Sequence, residues 1–156
     1  MNRFILDRKP KPAATQQCDR HIVKMPLEEA QMLSTAHVEL DGVQVAYRAT
    51  HKNHPCSIWV CETISNYMWA VEHWEALGAE YTKRYGKVHK SLADHWDTLS
   101  KPPQNIQDGP LTEFPQCMPD ECKRDDPVVA YKAYYKHKAD DWLSKGRPMT
   151  WRKQTA

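Results

Sequence analysis

The sequence predicts a mainly α-helical, compact domain with one small β-hairpin at about residues 38–47 and a long proline-rich loop at about residues 100–126. Three observations support this fold class. Apolar residues recur at helical spacing over most of the chain, proline and glycine stand at the ends of those stretches, and one short segment alternates around an Asp-Gly pair. The chain has 156 residues, so we expect a single domain, residues 1–156, with a substantial core.

The first helix is predicted over residues 13–37, after a short edge strand or extended arm at residues 3–6. Pro26 lies inside it, and proline removes a backbone hydrogen bond, so we expect a kink or break near Met25. Glu29 lies on the apolar face of this helix. A carboxylate there needs a partner or a raised pKa, which makes Glu29 the leading acid–base candidate. The structural alternatives are an ion pair with a cation from another helix, or rotation outward by the kink.

The predicted hairpin centres on Asp41-Gly42, which stands between two short apolar runs. Asp-Gly is a frequent two-residue turn between paired strands. The segment projects from the helical body in this interpretation, and a covered connector is the alternative.

The central helix is predicted to run from Pro55 to Gly86 as one element. A stripe of polar and aromatic residues runs beside its core-facing side: Glu62, Asn66, Trp69, His73 and Glu80. Such a stripe can line a ligand pocket, or it can consist of ordinary helix residues with satisfied hydrogen bonds.

Two further helices are predicted after residue 86. Ser91 and Asp94 have the spacing of a capping box and open a short helix that ends near Leu99. The proline-rich loop follows. Asp126 then caps a final helix, which reaches Lys145.

Composition excludes several classes of protein. No apolar run reaches about 18 residues, so no membrane span is predicted, and the first residues lack the apolar core of a signal peptide. The five cysteines cannot all pair within the chain, so we expect reduced thiols and a cytoplasmic location. Neither a phosphate-binding glycine-rich loop nor a serine-hydrolase elbow is present.

Metal binding is not predicted. The spacing His51-x-x-His54-x-Cys56 offers ligands that zinc accepts, but no paired C-x2-C unit occurs. Zinc is therefore kept only as an alternative. Cys56 beside His54, at a helix N-terminus, is also a candidate nucleophile.

A nucleic acid or nucleotide is the predicted partner. Residues 83–90 and 131–138 each combine lysines or arginine with tyrosine, and Arg8, Lys9 and Lys11 form a third basic cluster. Cations bind phosphates, and aromatic rings stack on unpaired bases. The alternative is that these segments are solvated faces, since the net charge is only +2.

Several strings resemble a family of small, uncharacterised proteins of tailed bacteriophages that are sometimes labelled pyrimidine-dimer DNA glycosylases. The strings are Leu6-Asp7, Cys18-Asp19-Arg20-His21-Ile22-Val23-Lys24-Met25, Gln31-Met32-Leu33-Ser34-Thr35-Ala36-His37, His51-Lys52-Asn53-His54-Pro55-Cys56, Asn66-Tyr67-Met68-Trp69 and Glu80-Tyr81-Thr82-Lys83-Arg84-Tyr85-Gly86-Lys87. The resemblance covers nearly the whole chain. It implies DNA or nucleotide chemistry in an infected bacterial cell. Members of the family carry an aliphatic residue where this chain has Pro26.

The leading hypothesis is an enzyme that acts on DNA bases or nucleotides, by cleavage of an N-glycosidic bond. Such chemistry needs a carboxylate and a pocket for the base. The catalytic candidates are Glu29, Glu62, His21 and Lys24, with Lys52 as a second candidate amine. The candidate ligand-binding residues are His51, Lys52, Asn53, His54, Trp59, Asn66, Trp69, His73, Arg84 and Lys87. The alternatives are a non-enzymatic phage factor that binds a nucleotide or a host protein, and a metal-dependent nucleotide hydrolase.

Overall fold

A computed structural model describes residues 1–153 and shows a mainly helical fold. The elements are α1 (Pro10–Thr15), α2 (Asp19–Asp41), α3 (Pro55–Glu62), α4 (Ile64–Tyr85), α5 (Lys90–Leu99), a 3₁₀ turn (Asp120–Cys122) and α6 (Pro127–Ser144). Helices α1, α2 and α3 pack on α4, and α5 packs mainly on α2. No helix in residues 1–153 is long and apolar enough to cross a bilayer.

The first helix differs from its prediction in where it is interrupted. The chain leaves helical structure at residues 16–18, between α1 and α2, while α2 continues through Pro26 without a break. The break predicted near Met25 is therefore wrong. A proline inside a helix removes a single backbone hydrogen bond, and the packing of both faces of α2, where Met25 and Pro26 are buried, maintains the helix.

The predicted hairpin at residues 38–47 is wrong, because the described part of the chain contains no strand. Residues 38–41 are the last turn of α2 instead. Gly42 has a φ of 70° and its amide donates to the carbonyl of Val38 at 2.9 Å, so it ends the helix in the left-handed conformation. The Asp41 carboxylate accepts hydrogen bonds from the amides of Gln104 and Asn105, which attaches the proline-rich loop to this corner.

The central helix is two helices. Thr63 is extended, with φ −144° and ψ 158°, and separates α3 from α4. Its hydroxyl accepts from the amide of Asn66, as an N-cap does, and donates to the carbonyl of Pro110. The break also frees the amide of Ile64, which donates to the carbonyl of Gln107. The interruption therefore holds the proline-rich loop against the helical body.

The later elements follow their predictions closely. Helix α6 begins at Pro127, is capped by Asp126 and is followed by Gly146 at φ 72°. Helix α5 ends at Leu99 as predicted, but His89 caps it in place of Ser91, whose hydroxyl instead accepts from the Trp74 indole. The proline-rich loop carries only the 3₁₀ turn.

Candidate functional site

Glu29 lies at the centre of a buried polar network that joins the N-terminal arm, α2 and α4. The Arg3 guanidinium donates to both of its oxygens, at 2.6 Å from Nη2 to Oε1 and 2.9 Å from Nε to Oε2. His73 Nδ1 lies 2.9 Å from the second oxygen, and His73 Nε2 lies 3.1 Å from Gln17 Nε2. The side chains of Arg3 and Glu29 are each only 2% exposed.

The electrostatics of this network favour the ionised carboxylate. Burial acts to raise the pKa of Glu29, but Arg3 and His73 outweigh it and leave that pKa below its ordinary value. The Arg3 guanidinium also donates to the Cys56 carbonyl and lies 5.0 Å from the Trp59 ring centre. Glu29 is thus a structural anion, paired with a cation from the arm, and the arrangement is closed to substrate.

The predicted polar stripe runs from α3 into α4 and, apart from Glu62, is covered by other parts of the chain. Asn66 exchanges two hydrogen bonds with Thr112 of the proline-rich loop. The Trp59 and Trp69 indoles donate to the carbonyls of Thr112 and Arg8, respectively, and both rings pack on Phe114. Glu62 is exposed at the end of α3. These side chains hold the arm and the loop in place and do not converge on a cavity.

His21 and Lys24, by contrast, line a cleft of about 250 Å³ between the arm, α2 and α6. We call it the basic cleft. Its lining residues are Met1, Asn2, Phe4, Arg20, His21, Lys24, Met25, Glu28, Tyr134, Lys138 and Trp142.

Glu28 is the carboxylate of the basic cleft. Its Oε2 lies 3.5 Å from Lys24 Nζ, one turn earlier on α2, and its Oε1 lies 3.2 Å from the amino group of Met1. Both oxygens are covered, and neither contact has the angles of a hydrogen bond. A buried carboxylate without hydrogen bonds is uncommon in folded proteins. Glu28 is therefore held by charge attraction alone, next to an amine whose side chain is 66% exposed.

Aromatic rings form the opposite wall and hold two further cations. The Arg20 guanidinium lies 4.9 Å from the Trp142 ring centre, and Lys138 Nζ lies 4.7 Å from that of Tyr134. Both distances are typical of cation–π contacts. The cleft thus combines cations, a carboxylate and flat apolar surfaces.

His21 forms the floor of the cleft and is neutral at physiological pH. Burial, assisted by Lys138, Lys24 and Arg20, lowers its pKa to about 3. Its Nδ1 lies 2.6 Å from the Tyr135 hydroxyl, and its ring stacks on Phe4. A neutral imidazole cannot donate a proton as an imidazolium does. His21 therefore serves as the floor of the cleft and as a hydrogen-bonding group.

The polar turn before α3 divides into exposed and packed residues. His51, Lys52 and Asn53 are exposed, and His51 has a φ of 49°. His54 caps α3 by accepting from the amide of Cys56. Burial, followed by the amino group of Met1, lowers the pKa of His54, while Glu28 acts in the opposite direction. His54 is thus electrostatically coupled to the cleft carboxylate.

Arg84 and Lys87 belong to another region. Arg84 is buried and contacts Glu80 at 2.9 Å and Asp19 at 3.1 Å, so it links α4 to the start of α2. Asp19 in turn accepts from the backbone amide of Arg152 in the C-terminal tail. Lys87 is exposed just after α4. Neither residue lines the basic cleft.

Sequence reasoning missed most of the residues that complete the basic cleft. Arg20, Lys24 and Glu28 recur every four residues and so share one face of α2. This spacing was the available signal on that helix. The three residues of α6 in the cleft, Tyr134, Lys138 and Trp142, also share a face, but nothing local indicates that this face meets α2.

No family model, curated protein or solved structure matches this chain.

Proposed function

We propose that this protein is an enzyme that binds a nucleotide unit in the basic cleft and cleaves its N-glycosidic bond. The observation that supports the proposal is the contact between Glu28 and Lys24, a covered carboxylate 3.5 Å from an accessible amine, inside a cationic cleft with aromatic walls. The carboxylate required by the sequence hypothesis is thus assigned to Glu28 in place of Glu29 and Glu62.

The lining of the cleft matches the parts of a nucleotide. Arg20, Lys24 and Lys138 supply positive charge for phosphate, and the Tyr134 and Trp142 rings supply faces for a base. The volume of about 250 Å³ lies just below the range for drug-sized ligands, which suits one extruded unit and not a duplex.

The chemistry follows from the carboxylate–amine pair. Glu28 takes the proton that Lys24 loses, and the neutral amine attacks C1′ of the sugar as the bond from C1′ to the base nitrogen breaks. The base leaves with the bonding electron pair and takes a proton from solvent. The sugar ring then opens to an imine on Lys24, which water hydrolyses to release the sugar and restore the amine.

The resemblance to the tailed-bacteriophage proteins supports the same reaction class, because the family is sometimes labelled as a DNA glycosylase. We accordingly propose DNA or a nucleotide as the partner and the cytoplasm of an infected bacterial cell as the location. Four residues of the string that runs from Cys18 to Met25 line the cleft: Arg20, His21, Lys24 and Met25.

Borohydride reduction tests the covalent step. Protein is incubated with single-stranded oligonucleotides that carry altered or normal bases, the imine is reduced, and the captured residue is mapped by mass spectrometry. We expect an adduct on Lys24, lost in Lys24→Ala and strongly reduced in Glu28→Gln. Glu62→Gln is the matched control, because it removes an exposed carboxylate outside the cleft, and it should give the full yield of adduct.

Two outcomes would change the proposal. An adduct on the amino group of residue 1, which also contacts Glu28, would support the same reaction but assign the nucleophile to that amino group in place of Lys24. Absence of both base release and adduct over the whole substrate panel, in folded protein, would refute the enzymatic proposal. Recovery of an intact nucleotide bound in the cleft would then support the binding-protein alternative.

A further inference from the structure

A second cluster of reactive side chains lies where α3 begins and the proline-rich loop passes over it. His54, Cys56 and Cys117 each place one ligand atom within 4.8 Å of the other two. The Cys56 and Cys117 sulfurs are 3.7 Å apart and both cysteines are free thiols. The two sulfurs come from segments 61 residues apart in the chain, so the cluster exists only in the folded protein.

The spacing of the sulfurs matches that of two thiolates on one zinc ion. Zinc–sulfur bonds of about 2.3 Å in a tetrahedron place two sulfurs about 3.8 Å apart. A disulfide bond would require about 2.05 Å. The sulfurs are thus already at the distance that a tetrahedral ion needs, without covalent bonding between them.

We infer that His54, Cys56 and Cys117 form a zinc site that fastens the proline-rich loop to the N-terminus of α3. Two thiolates and one imidazole form a ligand set that binds zinc in preference to magnesium or calcium. Three protein ligands leave one tetrahedral position for water or an added ligand. His54 and Cys117 are half-buried, which gives an ion access to the cluster.

Zinc binding would change the role of His54. Its Nδ1 now accepts from the Cys56 amide at 3.1 Å and caps α3. A zinc ion on Nδ1 would use that lone pair, and a zinc ion on Nε2 would require a proton on Nδ1, so the cap contact ends in either case. The metal then takes over the stabilisation of this helix end by joining it to the loop.

The surroundings suit a site with two thiolates. The Arg3 guanidinium donates to the Cys56 carbonyl and so places a positive charge beside the pair. The Asn2 side chain donates to the carbonyl of Cys117, and the Tyr131 hydroxyl accepts from the Cys117 amide, which holds this part of the loop in place. The ligands are therefore fixed by contacts outside the cluster, as in established metal sites.

Zinc titration of the reduced full-length protein tests the site, with a chromophoric chelator as competitor and elemental analysis for stoichiometry. We expect one tightly bound zinc per chain and a higher unfolding temperature. Substitution by cobalt should give the absorption of a tetrahedral ion with sulfur-to-metal charge transfer. Loss of an outer-shell partner costs up to ~100-fold in metal affinity. Cys117→Ser removes a ligand itself, so it should weaken zinc binding by more than that.

Two further variants separate ligation from folding. His54→Asn keeps a good N-cap residue while removing the imidazole, so it should fold and lose zinc affinity. Cys61→Ser is the matched control, because Cys61 lies on the same helix outside the cluster, and it should bind zinc like the wild type. The inference is overturned if the wild type binds no zinc, or if Cys117→Ser and His54→Asn bind it as tightly as Cys61→Ser.

Discussion

Glu28 and Glu29 are neighbours in the sequence and face opposite environments. Glu28 lies 3.5 Å from Lys24 at the basic cleft, whereas Glu29 is enclosed by Arg3 and His73. Successive residues of a helix differ by about 100° around its axis, which separates a core face from a cleft face. Glu29 is thus paired within the core, whereas Glu28 is paired with cations at the edge of the cleft.

Glu29→Gln should destabilise the protein severely. The substitution leaves the Arg3 charge buried without its anion, a change that typically costs about 3–5 kcal/mol. The free energy of unfolding, measured by denaturant titration, checks this. Glu62→Gln should change it by no more than about 0.5 kcal/mol, as surface substitutions usually do. A double variant in which methionine replaces both Arg3 and Glu29 should recover part of the loss. A Glu29→Gln protein as stable as the control would contradict the structural role.

His21 should make the protein less stable in mild acid. Its pKa is about 3 in the folded chain and about 6.5 when unfolded, so between these values only the unfolded chain binds the proton. Stability from this group is complete above pH 6.5 and falls by up to ~1.4 kcal/mol per pH unit as the pH drops toward 3. His21→Asn, which cannot titrate, should show a shallower loss.

The titration can also be followed directly by NMR. The His21 ring signals should show no protonation above about pH 4 while the protein remains folded. A midpoint near 6.5 would show that the imidazole reaches solvent and would contradict its place in the floor of the cleft.

Lys138→Ala should weaken the binding of single-stranded oligonucleotides and reduce its salt dependence. One phosphate contact contributes about 0.7 to the slope of log K against log salt for a single strand. Lys136→Ala is the matched control, since Lys136 is on the same helix but pairs with Asp140 outside the cleft. Fluorescence anisotropy at several salt concentrations measures the affinity and its salt dependence for each variant. Equal slopes for the two variants would place the binding surface elsewhere.

Gly42→Ala should destabilise α2 by about 1–2 kcal/mol, because alanine is strained at a φ of 70°. No atom beyond the neighbouring residues 41 and 43 lies within 4 Å of the added Cβ, so the cost comes from the local backbone. Gly42→Asn should cost less, since asparagine tolerates the left-handed conformation. Denaturant titration of both variants checks the order. The reverse order would contradict the assignment of Gly42 as a helix end.

Local signals predicted the elements whose ends depend on nearby residues. Asp126, Pro127 and Gly146 act within one turn of α6, and they bound that helix as the sequence indicates. The prolines after residue 100 likewise predicted the long loop. Capping and proline geometry are short-range effects, so they can be read from the residues themselves.

A local signal gave a wrong prediction where the same residues suit two different structures. Asp41-Gly42 suits a hairpin turn and a helix end alike, and the continuing turn of α2 decided between them. Thr63 shows the converse: no sequence feature required a break there, and the loop carbonyls of Gln107 and Pro110 supply the partners that stabilise it.

The sequence by itself determined a mainly helical protein with a proline-rich loop. Only the tertiary structure decided that Glu29 is enclosed by Arg3 and His73, because these partners stand 26 and 44 residues away in the chain. It also decided that His21, Lys24 and Glu28 meet α6 at a cleft, and that Cys117 reaches Cys56. Burial and charge pairing depend on distances in space, which no local pattern of residues specifies.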